Sequence, residues 1–121
     1  MANRTDIRAD TVKNRLYLIL VGTFDDSEMK QAADKTIVEV KKLKPGFDII
    51  NDISECKPAT IKGIEEIKRA QVVIKEGGVK RVIRIVGQSV TEGQFSRKSQ
   101  EAGYEADTAP SIAEAEKMLA A

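Results

Sequence analysis

Alternation of polar and apolar residues at the start of the chain predicts a β-hairpin. Between residues 6 and 12, small or apolar side chains alternate with charged ones, which is typical of a half-exposed strand. Residues 16–21 are apolar at every position, as in a central strand that is covered on both faces. Asn14 tolerates a left-handed backbone, so it is predicted to lie in the tight turn between the two strands.

Apolar residues at helical spacing predict a helix directly after the hairpin. Asp25 and Glu28 have the spacing of a capping box at its start, and Pro45 with Gly46 ends it. Its last turn is predicted to contain three lysines, whose positive charge is favourable near the negative end of the helix dipole: Lys41, Lys42 and Lys44.

Hydroxyl side chains mark the starts of three later helices. Thr60, Ser89 and Ser111 are each predicted to be an N-cap, whose oxygen accepts a hydrogen bond from a free backbone N–H. Ser89 and Glu92 have the spacing of a second capping box. The helix that begins after Thr60 is predicted to end at residues 77–78, which are both glycine.

Strands are predicted between these helices, at residues 47–53, 79–86 and 104–108. With residues 16–21 they make four strands with one helix between each pair, which is the spacing of right-handed parallel crossovers. The sequence therefore predicts a single α/β domain over residues 1–121. Its sheet is expected to be mostly parallel, with one antiparallel strand at the N-terminal side.

Composition narrows the range of functions. The chain has no histidine, so the commonest general base and the usual zinc ligand are both missing. The 20 Lys and Arg are balanced by 19 Asp and Glu, and two Tyr and three Phe are the only aromatic residues, which disfavours nucleic-acid binding. We therefore expect a protein that is not an enzyme and needs neither a metal nor a cofactor.

Two further features bear on location. The longest apolar run, residues 16–24, is far shorter than the roughly 20 residues that span a bilayer, and the first residues lack the apolar core of a secretory signal. The lone cysteine, Cys56, fits a reducing compartment, and we expect it to be a passive thiol. A cytoplasmic protein without a membrane span is expected.

Loops at the carboxyl ends of parallel strands are the usual sites for ligands and partners, and the loop from Asp52 to Gly63 is one of them. Thr60 has two interpretations: a helix cap alone, or a phosphoacceptor whose phosphate would meet the positive end of the helix. Asp52 also has two. It could bind Mg²⁺ together with Asp25 and Asp26, although such residues more often cap helices and face water.

Charged residues elsewhere are open to two interpretations as well. The pairs Lys62–Glu66 and Glu65–Arg69 are four residues apart on the second predicted helix, so they form either a solvated face or the rim of an interaction surface. Arg84 lies on a predicted strand and is expected to reach a solvent edge or an interface.

Short motifs recur in a recognisable order along the chain. They lie at residues 20–26 before the first helix, then at 52–54 and 63–64, then at 79–87 after a Gly-Gly turn, and finally at 111–119. Their order and spacing, over roughly residues 5 to 120, resemble those of the STAS domain, the fold of bacterial anti-sigma factor antagonists. Each motif is degenerate, so the specificity of the resemblance lies in the arrangement.

The resemblance implies a non-catalytic module that docks on an anti-sigma kinase. In that family, phosphorylation of a serine at the start of the second helix switches the interaction off. The family segment acid-Ser-Ser-Gly aligns with residues 60–63, of which only Gly63 matches. Ile61 occupies the phosphorylatable position, and Thr60 stands where the family has its acid.

The receiver domain of two-component systems is a second resemblance. Residues 47–53 followed by residues 63–68 resemble a receiver's phosphoacceptor strand and next helix, with Asp52 as the acceptor. Two departures stand against it. Receivers have two helices and a strand between their acidic pair and the acceptor, whereas only one helix fits between Asp26 and Asp52. Receivers also have a lysine before the proline that follows their fifth strand, whereas Ala109 precedes Pro110 here.

The leading hypothesis is a regulatory module that binds a protein partner, an anti-sigma kinase or another regulator. The alternatives are a sensor of a small molecule or nucleotide on the same fold, and a degenerate receiver-like domain. The residues predicted to contact the partner lie in the loop and helix between residues 54 and 69: Ser54, Glu55, Lys57, Thr60, Lys62, Gly63, Glu66 and Arg69.

Overall fold

The computed structural model describes residues 3–120, which form five strands and four helices. The elements follow one another as β1 (Arg4–Asp10), β2 (Arg15–Gly22), α1 (Asp26–Val40), β3 (Asp48–Cys56), α2 (Ile61–Glu76), β4 (Arg81–Ile85), α3 (Ser89–Ala102), β5 (Asp107–Thr108) and α4 (Ile112–Ala120). None of these helices is both long and apolar enough to cross a membrane.

The five strands form one sheet in the order β1-β2-β3-β4-β5. The hairpin pair β1–β2 is antiparallel and the other three pairs are parallel, which confirms the predicted α/β class and the predicted strand directions. This order differs from the 2-1-3-4-5 order of flavodoxin-like receivers. Only α1 lies between β2 and β3, so the topology does not favour the receiver-like alternative.

The three parallel connections, β2 to β3, β3 to β4 and β4 to β5, each lead to the adjacent strand on the same side of the previous one. Right-handed crossovers of this kind place their helices on one face of the sheet. Accordingly α1 packs on α2 and α2 packs on α3, while α4 packs against β3 and β4. The larger apolar core lies beneath α1–α3 and includes the fully buried Phe47 and Ile49. A smaller core beneath α4 joins Ile50 and Ile83 to Ala115.

The last helix is attached to the sheet by polar contacts as well as by apolar ones. Glu116 accepts a hydrogen bond from Nη1 of Arg15 at 2.8 Å and another from the hydroxyl of Tyr17 at 2.5 Å. Arg15 is only 8% exposed. The carboxylate therefore neutralises a buried guanidinium on β2 from the far end of the chain.

The structure corrects the predicted boundaries of α1 and β4. Helix α1 ends at Val40, so Lys41, Lys42 and Lys44 follow it rather than forming its last turn. The N–H groups of Lys42 and Leu43 donate to carbonyls only three residues back, because the chain tightens there before Pro45. The fourth strand is shorter than predicted, covering Arg81–Ile85 rather than residues 79–86.

Two other corrections concern caps and burial. Ser89 is the first residue of α3 rather than its N-cap; the N-cap is Gln88, whose side chain makes no capping hydrogen bond. Arg84 does not reach solvent, because it is 2% exposed beneath the helices. A strand that is covered on both faces offers no solvent side to a residue in its middle.

Glu39 holds the edge strand β1 against α1. It is 4% exposed, its Oε1 accepts the backbone N–H of Ala9 at 3.0 Å, and the ammonium of Lys42 lies 2.6 Å from its Oε2. The Lys42 contact first, and then the Ala9 hydrogen bond, hold the pKa of Glu39 below its ordinary value of 4.5.

We expect this carboxylate to make stability depend on pH in the acid range. Because the folded-state pKa is lowered, Glu39 stabilises the fold above about pH 4.5, and this stabilisation is lost as the pH falls through the folded-state pKa. Urea unfolding measured at a series of acidic pH values should show that the free energy of unfolding falls more steeply with decreasing pH in the natural protein than in Glu39→Gln. Equal slopes would contradict a stabilising role for the charge.

Candidate protein-docking surface

The eight residues predicted to contact a partner do not form one surface. Ser54, Glu55 and Lys57 line a cleft of about 710 Å³ at the carboxyl ends of β2 and β3, together with Gln88 from the loop after β4. Ser54 is only half-exposed, and its hydroxyl donates a 2.6 Å hydrogen bond to the carboxylate of Asp52. Of the three predicted residues in this cleft, Glu55 and Lys57 are exposed.

Thr60 is the N-cap of α2, and this confirms its predicted capping role. Its Oγ1 accepts the backbone N–H of Gly63 at 2.9 Å, and its hydroxyl donates to the carboxylate of Asp26 at the start of α1. Thr60 and the neighbouring Lys62 are both exposed. Phosphorylation of Thr60 would therefore remove the hydrogen bond to Asp26 and place the phosphate beside the negative charge of that carboxylate.

Gly63, which was predicted to contact a partner, is buried where α2 meets α1. A Cβ at this position would lie 3.0 Å from Oγ1 of Thr60, 3.4 Å from Cβ of Ala59 and 3.6 Å from Cβ of Met29. The glycine lets the first turn of α2 approach these groups closely. Its role in the structure is therefore packing.

Arg69 is exposed, but its guanidinium is bonded to carboxylates on its own helix and on the neighbouring one. It donates to Glu66 on its own helix at 2.8 Å and to Asp34 on α1 at 2.6 Å, and these contacts lower the pKa of Asp34 and raise that of Arg69. The predicted pairs of Lys62 with Glu66 and of Glu65 with Arg69 are not among the ion pairs of residues 3–120. Arg69 therefore links α2 to α1, and the carboxylates of Glu66 and Asp34 are both paired with its guanidinium.

A groove between α2 and α3 contains residues that the sequence analysis did not select. The α2–α3 groove has a volume of about 260 Å³ and is lined by Ile61, Ile64, Glu65, Gln94, Arg97 and Lys98. Ile61 is 83% exposed, and Val90, one turn before Gln94 on α3, is 61% exposed. The sequence feature that could have indicated this groove is an apolar residue in the first turn of α2 and of α3, outside the apolar face that packs on the sheet.

The loop that leads into this groove is held by side-chain contacts to α3. The amide of Gln94 bonds both backbone groups of Ala59: the Ala59 N–H donates to Oε1 at 2.8 Å, and Nε2 donates to the Ala59 carbonyl at 3.1 Å. Thr91 donates to the carbonyl of Cys56 at 2.9 Å. These contacts place the start of α2 beside α3 before any partner binds.

The groove has a basic rim. Of the two basic residues that line the groove, Arg97 takes part in no ion pair within residues 3–120, whereas Lys98 is paired with Glu101 at 3.1 Å. Lys62, an exposed residue next to Ile61 in the first turn of α2, also takes part in no ion pair within residues 3–120. Glu65 is the one acidic side chain among the residues that line the groove. The rim is therefore complementary to an acidic surface.

The other candidate chemistry of the sequence is dispersed. Asp25 caps α1, Asp26 accepts from Thr60 and Asp52 accepts from Ser54; no group of three possible metal ligands occurs among residues 3–120. The thiol of Cys56 is buried, and burial raises its pKa to about 11, so it is uncharged at neutral pH.

Comparison of the whole chain with known proteins adds no assignment to this geometry: no protein-family model matches it, and no curated protein matches it significantly.

Proposed function

We propose that this chain is a non-catalytic regulatory module that binds a protein partner in the α2–α3 groove. The observation that carries this proposal is the exposure of Ile61, 83%, in a groove whose entrance is already held in place by Gln94. Burying one such side chain contributes about 1.5–3 kcal/mol, and a groove formed in advance loses little conformational entropy on binding.

The charges of the rim indicate the kind of partner. Lys62 and Arg97 would meet carboxylates that flank an apolar residue of the partner, and this arrangement speeds association and selects against basic surfaces. The resemblance to anti-sigma factor antagonists supports a docking surface at the start of α2, since the serine that regulates their binding lies at the start of the second helix. An anti-sigma kinase or another cytoplasmic regulator is the partner class that we propose.

Phosphorylation of Thr60 would act against binding in this scheme. The phosphate would remove the hydrogen bond that the Thr60 hydroxyl donates to Asp26 and would place about two negative charges beside that carboxylate, at the start of α2. Ile61 occupies the position that corresponds to the family's phosphoserine and cannot be phosphorylated. Thr60 is therefore the residue to which we assign regulation by phosphorylation.

The experiment compares two exposed apolar residues, one at the start of α2 and one in the β1–β2 turn. Ile61→Ser should weaken capture of the partner by tagged protein at least about tenfold, because a central apolar contact is lost. Val12→Ser is the matched control: Val12 is 95% exposed in the β1–β2 turn, far from the groove. Partners are identified by mass spectrometry, and the dissociation constant of the purified pair is then measured by calorimetry.

A charge comparison provides the second arm. Arg97→Glu should slow association at low salt, whereas Lys80→Glu, an exposed residue before β4, should leave the rate unchanged. Equal capture by Ile61→Ser and the natural protein would reject the groove as the docking site. Weaker binding by both Ile61→Ser and Val12→Ser would point to a nonspecific apolar contact and would also reject it.

A further inference from the structure

Strand β1 forms one edge of the sheet. It covers Arg4–Asp10 and pairs on one side only, with β2. The Ala9 N–H points away from β2, because it donates to Glu39 of α1 at 3.0 Å. Since backbone N–H and C=O groups change direction from one residue to the next, those of Thr5 and Ile7 also point outward.

The outer backbone groups of Thr5 and Ile7 are open to a further strand. Within residues 3–120, neither N–H donates to a side chain or to a loop carbonyl. The pairing of β1 with β2 continues over seven residues without a bulge, so the edge is regular. A regular edge of this length is a template for another strand unless something covers it, and Glu39 covers only its Ala9 end.

Charges of alternating sign occupy one face of β1. The even-numbered side chains point to the face that carries Tyr17, since the guanidinium of Arg8 lies 4.2 Å from the centre of that ring. These side chains are Arg4, Asp6, Arg8 and Asp10. An alternating sequence of this kind is complementary to itself when it is read in the opposite direction.

We propose that β1 pairs with β1 of a second copy of this chain, antiparallel and about a two-fold axis at Ile7, so that the two sheets become one. Asp6 then lies opposite Arg8 of the second copy, and Arg4 lies opposite Asp10 of the second copy. Symmetry repeats each pair, as in every two-fold interface. Residues directly opposite in an antiparallel pair share a face and have Cβ atoms about 4.5–5.5 Å apart, so these four pairs bring unlike charges into contact.

The charges also disfavour other arrangements. A two-fold axis at Asp6 or at Arg8 would place like charges opposite each other. Parallel pairing in register would do the same, because each residue would face its own copy. Like charges directly opposite are destabilising, so the charge pattern favours the antiparallel register about Ile7.

The backbone groups fit the same register. Ile7 lies opposite its own copy and Thr5 lies opposite Ala9 of the second copy, and all of these residues have outward-pointing groups. The bonds donated by Thr5 and Ile7 form with Glu39 in place, whereas the Ala9 N–H stays with Glu39. Because the ladder is incomplete and the paired area is small, we expect a weak dimer, with a dissociation constant on the order of 10–100 µM. Strand β1 is not part of the α2–α3 groove, so this inference does not rest on the proposed function.

Charge reversal tests the pairing by analytical ultracentrifugation. The natural protein at about 100 µM should sediment as a mixture of monomer and dimer. Asp6→Arg and Arg8→Asp should each weaken self-association at least about tenfold, because each places like charges opposite each other at two positions. Arg97→Asp, at an exposed arginine of α3, is the control and should dimerise like the natural protein.

Mixing the two variants separates contacts between copies from contacts within one chain. Asp6 and Arg8 also pair within the chain at 3.3 Å, and each variant loses that pair. An equimolar mixture of Asp6→Arg and Arg8→Asp should dimerise again, because every opposed pair between the two variants has unlike charges. Mixing cannot restore an ion pair within one chain, so recovery reports the contact between copies.

The natural protein provides a test that needs no variant. Amide hydrogen exchange of Thr5 and Ile7 should slow as the protein concentration rises through the dissociation constant. The Ala9 amide is already bonded to Glu39, so its exchange should change less.

Three results would overturn the proposal. The first is a natural protein that stays monomeric at about 500 µM, well above the expected dissociation constant, which would mean that the charges only keep the edge soluble. The second is a dimer that both reversals leave unchanged or that Arg97→Asp weakens, which would place the contact elsewhere. The third is a mixture of the two folded variants that remains monomeric. If a variant fails to fold, sedimentation and hydrogen exchange of the natural protein decide.

Discussion

Gly87→Ala is expected to lower the free energy of unfolding by about 2–3 kcal/mol, although Gly87 is an exposed residue. It lies just after β4, where the backbone passes directly over β3. A Cβ there would overlap the carbonyl oxygen of Ser54, and would lie 3.0 Å from its carbonyl carbon and 3.1 Å from its Cα. All three atoms are backbone, so a side-chain rotation cannot relieve the overlap.

The control is a second glycine a few residues later. Gly93 lies inside α3, and the nearest side-chain atom to an added Cβ there is Nη2 of Arg97, the end of a flexible side chain, at 3.8 Å. Gly93→Ala should therefore raise stability by about 0.5–1 kcal/mol, through the better helix propensity of alanine. Urea unfolding of the two variants would give changes of opposite sign. Equal effects would contradict the close contact between Gly87 and β3.

Glu116→Ala is expected to destabilise the protein by about 2–3 kcal/mol, because it leaves the guanidinium of Arg15 buried without a carboxylate and Tyr17 without an acceptor. The same change should loosen α4 and leave it with the weaker polar attachment in which Nη1 of Arg81 on β4 donates to the Met118 carbonyl at 2.9 Å. Hydrogen exchange of the α4 amides, measured together with urea unfolding, would separate the local from the global effect.

The matched control lies two residues earlier on the same helix. Glu114 pairs with Lys117 at 3.3 Å, but both side chains are largely exposed. Glu114→Ala should change stability by less than about 0.5 kcal/mol, since exposed ion pairs contribute little. If the two alanine variants unfold alike, the contact of Glu116 with Arg15 does not hold α4 on the sheet.

The elements and their caps were largely predictable because they depend on neighbours in the sequence. Asp25 forms its capping box with Glu28, and Thr60 caps α2 through Gly63; each partner is three residues away. The order of strands and helices followed from periodicity in the same way. Ser89 was assigned wrongly as a cap because its spacing to Glu92 fits the motif, whereas the chain turns one residue earlier, at Gln88.

The candidate site was predicted less well, because its residues are brought together by packing. The sequence correctly predicted that the start of α2 is exposed, yet Gly63 is buried and Arg69 bonds to α1. The exposed groove also needs α3, whose Gln94 contacts Ala59 from 35 positions away. No local pattern specifies that contact, since side-chain partners of this kind depend on how two helices lie together.

The sequence alone determined the elements of this protein, their order, their helix starts at Asp25 and Thr60, and the mostly parallel arrangement of its strands. Only the tertiary structure decided that Arg84 is enclosed, that Glu116 reaches back across 101 positions to Arg15, and that Ile61 remains open to solvent. The physical reason is range: hydrogen bonds and periodicity act over a few residues, whereas the environment of a side chain depends on whichever distant segments pack against it.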